Sequence, residues 1–146
     1  MPEGEGRDAS KRDRAASEAP QRICASSALQ ERGRAVLFDL LEYGCPVRGF
    51  ALRIDGRVVG YLNRCAHVPM EMDWMPGVFL DADGETIMCS THGAVYAPGT
   101  GHCLGGPCAG RGGLTPVHVV ERADAVWWLP SAALRPLSDA ASPASR

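Results

Sequence analysis

The chain has 146 residues, of which 45% are hydrophobic, and its 15 Lys and Arg residues nearly balance 17 Asp and Glu residues to give a net charge of −2. This composition indicates one globular domain with a modest core, and it excludes a strong general field for nucleic acid or a membrane surface. No apolar run approaches the roughly 18 residues that a helix needs to cross a bilayer. No signal peptide is recognisable, so we expect a cytoplasmic protein.

Both ends of the chain are predicted to be tails. Residues 1–33 are rich in Ala, Ser, Glu and Arg and nearly lack aromatic and β-branched side chains. Such a segment cannot bury enough apolar surface to fold, so we expect a disordered N-terminal tail. Residues 131–146, with repeated Ala and Ser, are predicted to form a second tail, in which Leu134 and Leu137 are candidates to dock. The folded domain is therefore expected at 34–130.

Between the tails, short apolar or alternating runs are separated by turn residues. The runs lie at 35–41, 47–54, 57–62, 78–80, 86–88, 114–121 and 125–129. Asp55-Gly56 is the strongest short hairpin signal, and the segments 81–84 and 123–124 mark further turns. No stretch of this core has helical periodicity. Many short strands with frequent turns predict an all-β antiparallel sandwich or barrel.

Two short segments each combine a cysteine with a histidine. Cys65 stands two residues before His67, and Cys89 stands three residues before His92. Two thiolates and two imidazoles can hold either a structural zinc ion or an iron–sulfur cluster. Zinc fingers keep the two Cys in one pair and the two His in the other, whereas each segment here mixes them. The mixture favours a [2Fe–2S] centre with one iron on two Cys and the other on two His; a zinc-binding structural or regulatory module stays the alternative.

The two segments resemble the ligand loops of the Rieske iron–sulfur family, which read C-x-H and C-x-x-H. The resemblance runs over about 34–130, and its strongest part is the segment 89–96 with the glycines that follow it. The Gly-Gly-Pro segment 105–107, followed by Leu114, looks like the family's third, proline-containing loop. The resemblance implies a sandwich or barrel with two cluster-binding loops at one tip and one [2Fe–2S] cluster per chain. The implied metal and cofactor ligands are Cys65, His67, Cys89 and His92.

Two departures separate the chain from other members of the family. Rieske subunits of cytochrome bc complexes carry one further Cys in each ligand loop, where this chain has Met70 and Thr91. The chain therefore resembles the ferredoxin-like branch, which implies an electron carrier or a small electron-transfer subunit rather than an enzyme. The implied partners are a reductase as electron donor and an oxygenase or reductase as acceptor. Twenty-one residues separate His67 from Cys89, more than is common, so we expect a small insertion within 70–83.

Two positions near the second ligand pair are predicted to set the reduction potential. Tyr96 matches a family position whose hydroxyl donates to a ligand sulfur; a packing aromatic is the alternative. Ala94 stands where high-potential members have a Ser that donates to a bridging sulfide. Because Ala cannot donate, we expect a potential toward the low end of the Rieske range.

The remaining cysteines and histidines are predicted to lie outside the ligand set. Cys103 and Cys108 bracket the third loop and are expected to be free thiols, with a disulfide between them as the alternative. Cys45 is expected to be a small, partly buried side chain. His102 is expected to be exposed to solvent, and His118 to face solvent or a polar neighbour.

Overall fold

The computed structural model describes residues 19–65, 70–73, 75–89, 93–106 and 112–138. In this part of the chain the regular elements are β-strands and one short 3-10 helix, so the predicted all-β class is confirmed. The strands are β1 Gln21–Ala25, β2 Val36–Glu42, β3 Cys45–Ile54, β4 Arg57–Leu62, β5 Ile87–Met88, β6 Val95–Tyr96, β7 Cys103–Gly105, β8 Val119–Arg122, β9 Ala125–Trp128 and β10 Leu134–Arg135, and the helix is Ser26–Ala28. No helix within these residues has the length and apolar character to cross a membrane.

The strands form three antiparallel sheets. The first sheet has the order β1-β9-β8, the central sheet β10-β2-β3-β4, and the ligand sheet β5-β6-β7. Successive side chains of a strand point to opposite faces, and on β3 Phe50 and Leu52 pack among residues of the ligand sheet while Ala51 packs against Val126 of the first sheet. The central sheet is therefore covered on both faces.

An aromatic contact packs the segment before β5 against the central sheet. The rings of Phe50 and Phe79 are stacked with centroids 3.8 Å apart, and the Phe50 ring lies 5.9 Å from the Tyr61 ring. The Tyr61 hydroxyl donates to the carbonyl oxygen of Pro98 at 2.7 Å, and burial raises the pKa of Tyr61 to about 12. These large side chains hold the elements that carry the ligand loops.

The predicted turns are confirmed. Asp55 and Gly56 have φ values of 53° and 81°, and Ala123 and Asp124 have values of 54° and 64°, as tight hairpins between twisted strands require. In the turn that begins at Asp81, the carboxylate accepts bonds from the Glu85 amide (2.9 Å) and the Thr86 hydroxyl (2.7 Å). These turns give β4 and β5 their register and so place the residues that follow them.

The domain begins earlier than residue 34 and continues past residue 130. β1 pairs with β9 in the register Gln21↔Trp128, and β10 pairs with β2 in the register Leu134↔Glu42. The tail prediction for 19–33 is therefore corrected, because a five-residue strand in a polar segment gains its burial from partners distant in the chain. Leu134 docks as expected, whereas Leu137 is exposed. Residues 1–18 and 139–146 lie outside the described residues.

Three side chains outside the ligand set can be placed on the fold. His102 and His118 are exposed, as predicted. Cys45 is exposed rather than partly buried, because it lies at the first position of β3, beside the hairpin turn at 43–44.

Candidate metal centre

The two predicted sulfur ligands lie in one buried region. Cys65 follows the end of β4 by three residues, and Cys89 follows β5 directly. Their exposed fractions are 2% and 0%, and both belong to the same cluster of buried side chains as Tyr96. The structure records both cysteines outside any disulfide. Two strand ends thus bring the two thiols into one core, while the predicted ligands His67 and His92 lie outside the described residues.

The first ligand loop, residues 65–70, is closed at its base and tied to the central sheet. The amide of Cys65 donates to the carbonyl oxygen of Met70 at 3.0 Å. The preceding residue, Arg64, forms a two-pronged ion pair with Glu42 of β2, which lowers the pKa of Glu42. Sequence analysis missed this pair, because its partners meet only through the register of the sheet.

The second ligand loop, residues 89–93, is closed by backbone hydrogen bonds. The amide of Cys89 donates to the carbonyl oxygen of Ala94 at 2.9 Å, and the amide of Gly93 donates back to the carbonyl oxygen of Cys89 at 3.0 Å. Gly93 has a φ of 74°, a conformation that glycine adopts without steric cost. The position of Cys89 is therefore set by the β5–β6 hairpin.

At the start of the third loop, the backbone of Gly106 packs directly on the second ligand loop. A Cβ built on Gly106 would lie 2.8 Å from both the Cα of Ala94 and the carbonyl oxygen of Gly93, and Gly106 has a φ of 84°. The amide of Cys103 donates to the carbonyl oxygen of Gly112 at 3.0 Å and closes the base of this loop. Glycine at 106 is required by the contact and by the backbone conformation together.

Tyr96 connects the two ligand loops. Its hydroxyl oxygen lies 3.4 Å from the Sγ of Cys65, and both residues are buried. A thiolate sulfur can only accept, so the phenol donates when Cys65 is ionised. The predicted contact between Tyr96 and a candidate ligand sulfur is confirmed.

The comparison with known families agrees with this geometry. The model of the Rieske [2Fe–2S] domain matches residues 19–129, which is most of the chain and begins just before β1. The chain belongs to the Rieske family. As a Rieske protein it carries one [2Fe–2S] cluster and transfers electrons, since such a cluster takes up and releases an electron. The alternative of a zinc-binding module has no support.

Solved structures share the Rieske fold at low sequence identity. The ferredoxin of carbazole 1,9a-dioxygenase from Nocardioides aromaticivorans IC177 matches with a TM-score of 0.60 at 20% identity, over 77% of this chain and 99% of that one. The Sphingomonas yanoikuyae B1 ferredoxin matches with a TM-score of 0.58 at 19% identity, over 77% and 100%. The terminal oxygenase of the same Nocardioides system matches with a TM-score of 0.60 at 19% identity, but this chain spans only 30% of its length. No curated protein matches the sequence.

The residues that the structure describes fit the Rieske cluster. Cys65 and Cys89 supply two buried sulfur atoms from separate loops, and Tyr96 supplies a hydrogen-bond donor to one of them. Thiolates are the protein ligands of iron–sulfur clusters, and donors to their sulfur atoms stabilise the reduced form. Within the described ranges no group of three His, Cys, Asp or Glu side chains could hold a metal ion, because both histidine candidates lie in the gaps between those ranges.

Cys103 differs from its prediction. It is disulfide-bonded and only 1% exposed, so the expectation of a free thiol at this position was wrong. Cys108 lies outside the described residues. The expectation came from the reducing compartment, whereas the formation of a bond depends on how closely the fold holds two sulfur atoms.

Proposed function

We propose that this Rieske protein is a ferredoxin-like carrier or small electron-transfer subunit whose cluster is held by Cys65, His67, Cys89 and His92. It takes electrons from a reductase and delivers them to an oxygenase or another reductase, and it catalyses no substrate conversion itself. We place it in the cytoplasm.

The burial of Cys65 and Cys89 in one core, with the Tyr96 hydroxyl 3.4 Å from the Cys65 sulfur, carries the ligand proposal. The two ferredoxins named above are matched over nearly their whole length, which favours a small carrier over a domain of an oxygenase. A further neighbour is the complex of reduced oxygenase and oxidized ferredoxin in carbazole 1,9a-dioxygenase, which supports an oxygenase as acceptor.

The sulfur ligands are tested by Cys65→Ser and Cys89→Ser, with Cys45→Ser as the matched control. A neutral hydroxyl cannot replace an iron-bound thiolate, so each ligand variant loses the cluster. Cys45 is exposed and its variant keeps full iron and sulfide content. Iron, sulfide and visible absorbance are measured on freshly purified protein; a complete cluster in either ligand variant removes that cysteine from the set.

The nitrogen ligands are tested by labelling the histidines with ¹⁵N and recording pulsed EPR of the reduced protein. Coupling to two imidazole nitrogens is expected in the parent and in the exposed-surface controls His102→Asn and His118→Asn. Loss of coupling to one nitrogen, or of the cluster, is expected in His67→Asn and His92→Asn. Unchanged coupling in either of these two would exclude that histidine.

The carrier role is tested by electron transfer to an oxygenase. The reduced protein is mixed anaerobically with the Nocardioides terminal oxygenase, and reoxidation is followed by visible absorbance, with that system's own ferredoxin as positive control. Stoichiometric reoxidation without substrate conversion by the protein alone supports a carrier. Turnover of carbazole by the chain alone would overturn it.

A further inference from the structure

Asn63 is the one polar or charged residue that is buried within the described part of the chain, with an exposed fraction of 4%. It directly follows β4 and lies two residues before Cys65. A buried amide is costly unless its donor and its acceptor both have partners. The partners of Asn63 therefore indicate why an amide occupies this position.

The amide nitrogen and the amide oxygen of Asn63 both form hydrogen bonds with the segment that follows the first ligand loop. Its Nδ2 donates to Oδ1 of Asp73 at 2.7 Å, and its Oδ1 accepts from the amide of Met72 at 2.9 Å. The second carboxylate oxygen of Asp73, Oδ2, accepts from the amide of Gly77 at 3.0 Å. We call this arrangement of Asn63 and Asp73 the loop latch.

The loop latch joins the segment that enters the first ligand loop to the segment that leaves it. Cys65 and Met70 are already joined by a backbone hydrogen bond, and the latch adds two bonds across the loop base immediately outside that pair. Its third bond, from Gly77 to Asp73, holds the Asp73 carboxylate within the leaving segment. The carbonyl oxygen of Gly77 in turn accepts from the amide of Ala35 at 2.9 Å, which ties the latch to the start of β2. The position of Cys65 is thus fixed from both directions along the chain.

We propose that Asn63 and Asp73 are positioning residues for the cluster: they hold the Sγ of Cys65 within hydrogen-bond distance of the Tyr96 hydroxyl, and through that bond they set the reduction potential. The proposal rests on the proposed role of Cys65 as a ligand. At 3.4 Å the sulfur–oxygen contact is within the range of a hydrogen bond to sulfur, and a displacement of the loop base would lengthen and weaken it.

The latch can be broken and rebuilt by exchanging its two side chains. Asn63→Asp places two carboxylates face to face where the amide nitrogen now meets Oδ1. Asp73→Asn places a second amide group there, and either orientation of that amide loses one hydrogen bond. In the double exchange, Asp at 63 accepts from Met72 and from the new amide, and Asn at 73 accepts from Gly77. All three hydrogen bonds return and the net charge is unchanged.

A charge effect must be separated from a positional effect, because each single variant also changes the charge near the cluster. Glu71 is an exposed carboxylate of the same segment, and it pairs with Arg48 outside the latch. The Glu71→Gln variant therefore measures the effect of charge alone on the reduction potential. The background variant Tyr96→Phe removes the hydroxyl through which the latch is proposed to act. A positional shift vanishes in that background, whereas a charge effect persists.

The experiment measures the reduction potential by protein-film voltammetry, with the rate of cluster loss under a chelator as second readout. We expect Asn63→Asp to lower the potential and speed cluster loss several-fold, with a smaller shift of the potential in the Tyr96→Phe background. The double exchange is expected to return both readouts to the parent values. An equal shift in both backgrounds, no shift, or a double exchange that stays as impaired as Asn63→Asp would overturn the proposal.

The experiment distinguishes a failure of the latch proposal from a failure of the proposed ligand set. If Asn63→Asp assembles no cluster, the double exchange decides, since recovery of the cluster supports the latch and failure to recover overturns it. Iron content and nitrogen coupling of the parent test the ligand set independently. A parent with a histidine-ligated cluster and an inert latch would leave the proposed function standing and remove only this inference.

Discussion

The hydroxyl of Tyr96, on β6 beside the second ligand loop, lies 3.4 Å from the sulfur of Cys65 in the first ligand loop. Tyr96 is 0% exposed, so its phenol has no access to bulk water. Reduction adds negative charge to a bound cluster and its sulfur ligands, so a donor to this sulfur stabilises the reduced form more than the oxidised form. The Tyr96 side chain therefore has two effects. It joins the two loops through a hydrogen bond, and the same bond raises the reduction potential by stabilising the reduced cluster.

Removing this hydroxyl is expected to lower the reduction potential. A hydrogen bond to a charged group contributes at most about 1.5–3 kcal/mol. For a one-electron couple, about 1.4 kcal/mol corresponds to 59 mV. Tyr96→Phe should therefore lower the potential by no more than about 60–130 mV. Voltammetry on variant and parent measures the shift. Tyr61→Phe is the matched control, since that hydroxyl donates to Pro98. An unchanged or raised potential in Tyr96→Phe would assign Tyr96 to packing alone.

A hydroxyl at position 94 is expected to act in the opposite direction. Ala94 is fully buried beside the second ligand loop, and its carbonyl oxygen accepts the Cys89 amide. Ala94→Ser adds a donor where the alanine methyl now lies, and the potential should rise by up to about 60–130 mV if the hydroxyl reaches a sulfur atom.

The control for this variant is Ala51→Ser. Ala51 is equally buried, but it lies on the other face of the central sheet, against the first sheet. Both variants bury a hydroxyl and should lose about 1 kcal/mol of unfolding free energy or more, but only Ala94→Ser should move the potential. Equal potentials in the two variants would show that position 94 does not face the cluster.

What could be predicted from the sequence was local. Asp55-Gly56 indicated its hairpin, because the residues that determine this turn are neighbours in the chain. The Cys65–His67 and Cys89–His92 spacings are equally local, and the ligand pairs that they predict stay a proposal.

Features that depend on distant partners could not be predicted. The strand β1 gains its burial from β9, the bond between Asn63 and Asp73 needs the first ligand loop to fold back on itself, and the oxidation of Cys103 depends on the spacing of two sulfur atoms in the fold. A residue pattern contains none of these distances. Tyr96 was predictable only because the family resemblance supplied its neighbour.

Gly106 should be intolerant of a methyl group. Its φ of 84° is strained for alanine, and a Cβ would lie 2.8 Å from the backbone of the second ligand loop at Gly93 and Ala94. Left-handed backbone costs alanine roughly 1–2 kcal/mol, and the clash adds about 1–3 kcal/mol because a backbone neighbour cannot rotate away. Gly106→Ala is therefore expected to lower the melting temperature and the cluster content together.

Gly44 provides the control for the strain alone. It has a φ of 83° in the β2–β3 hairpin, and a Cβ there would meet nothing within 4 Å. Gly44→Ala should lower the melting temperature slightly and retain a complete cluster. If both variants lose stability equally and keep the cluster, the packing of the third loop on the second does not support the site.

The ion pair between Arg53 of β3 and Glu121 of β8 should make stability depend on pH in the acid range. The guanidinium donates to both carboxylate oxygens, at 3.0 and 2.8 Å, and it lowers the pKa of Glu121 to about 2. An unpaired Glu titrates at about 4.3, so the folded state holds its proton less tightly than the unfolded state. The stabilisation is complete above pH of about 4.3 and is lost as the pH falls toward about 2.

Glu121→Gln is thus expected to lower the unfolding free energy at pH 7 by about 1 kcal/mol, a figure reduced for the partial exposure of the pair. The difference between variant and parent should shrink steadily between pH 4.3 and pH 2. Urea unfolding followed by far-UV circular dichroism at pH 7, 4 and 3 measures it, and comparing the two proteins at each pH cancels the acid sensitivity of the cluster. Glu85→Gln, at an exposed turn position, should change little at any pH. A Glu121→Gln deficit that stays constant down to pH 3 would show that the carboxylate charge does not stabilise the contact between β3 and β8.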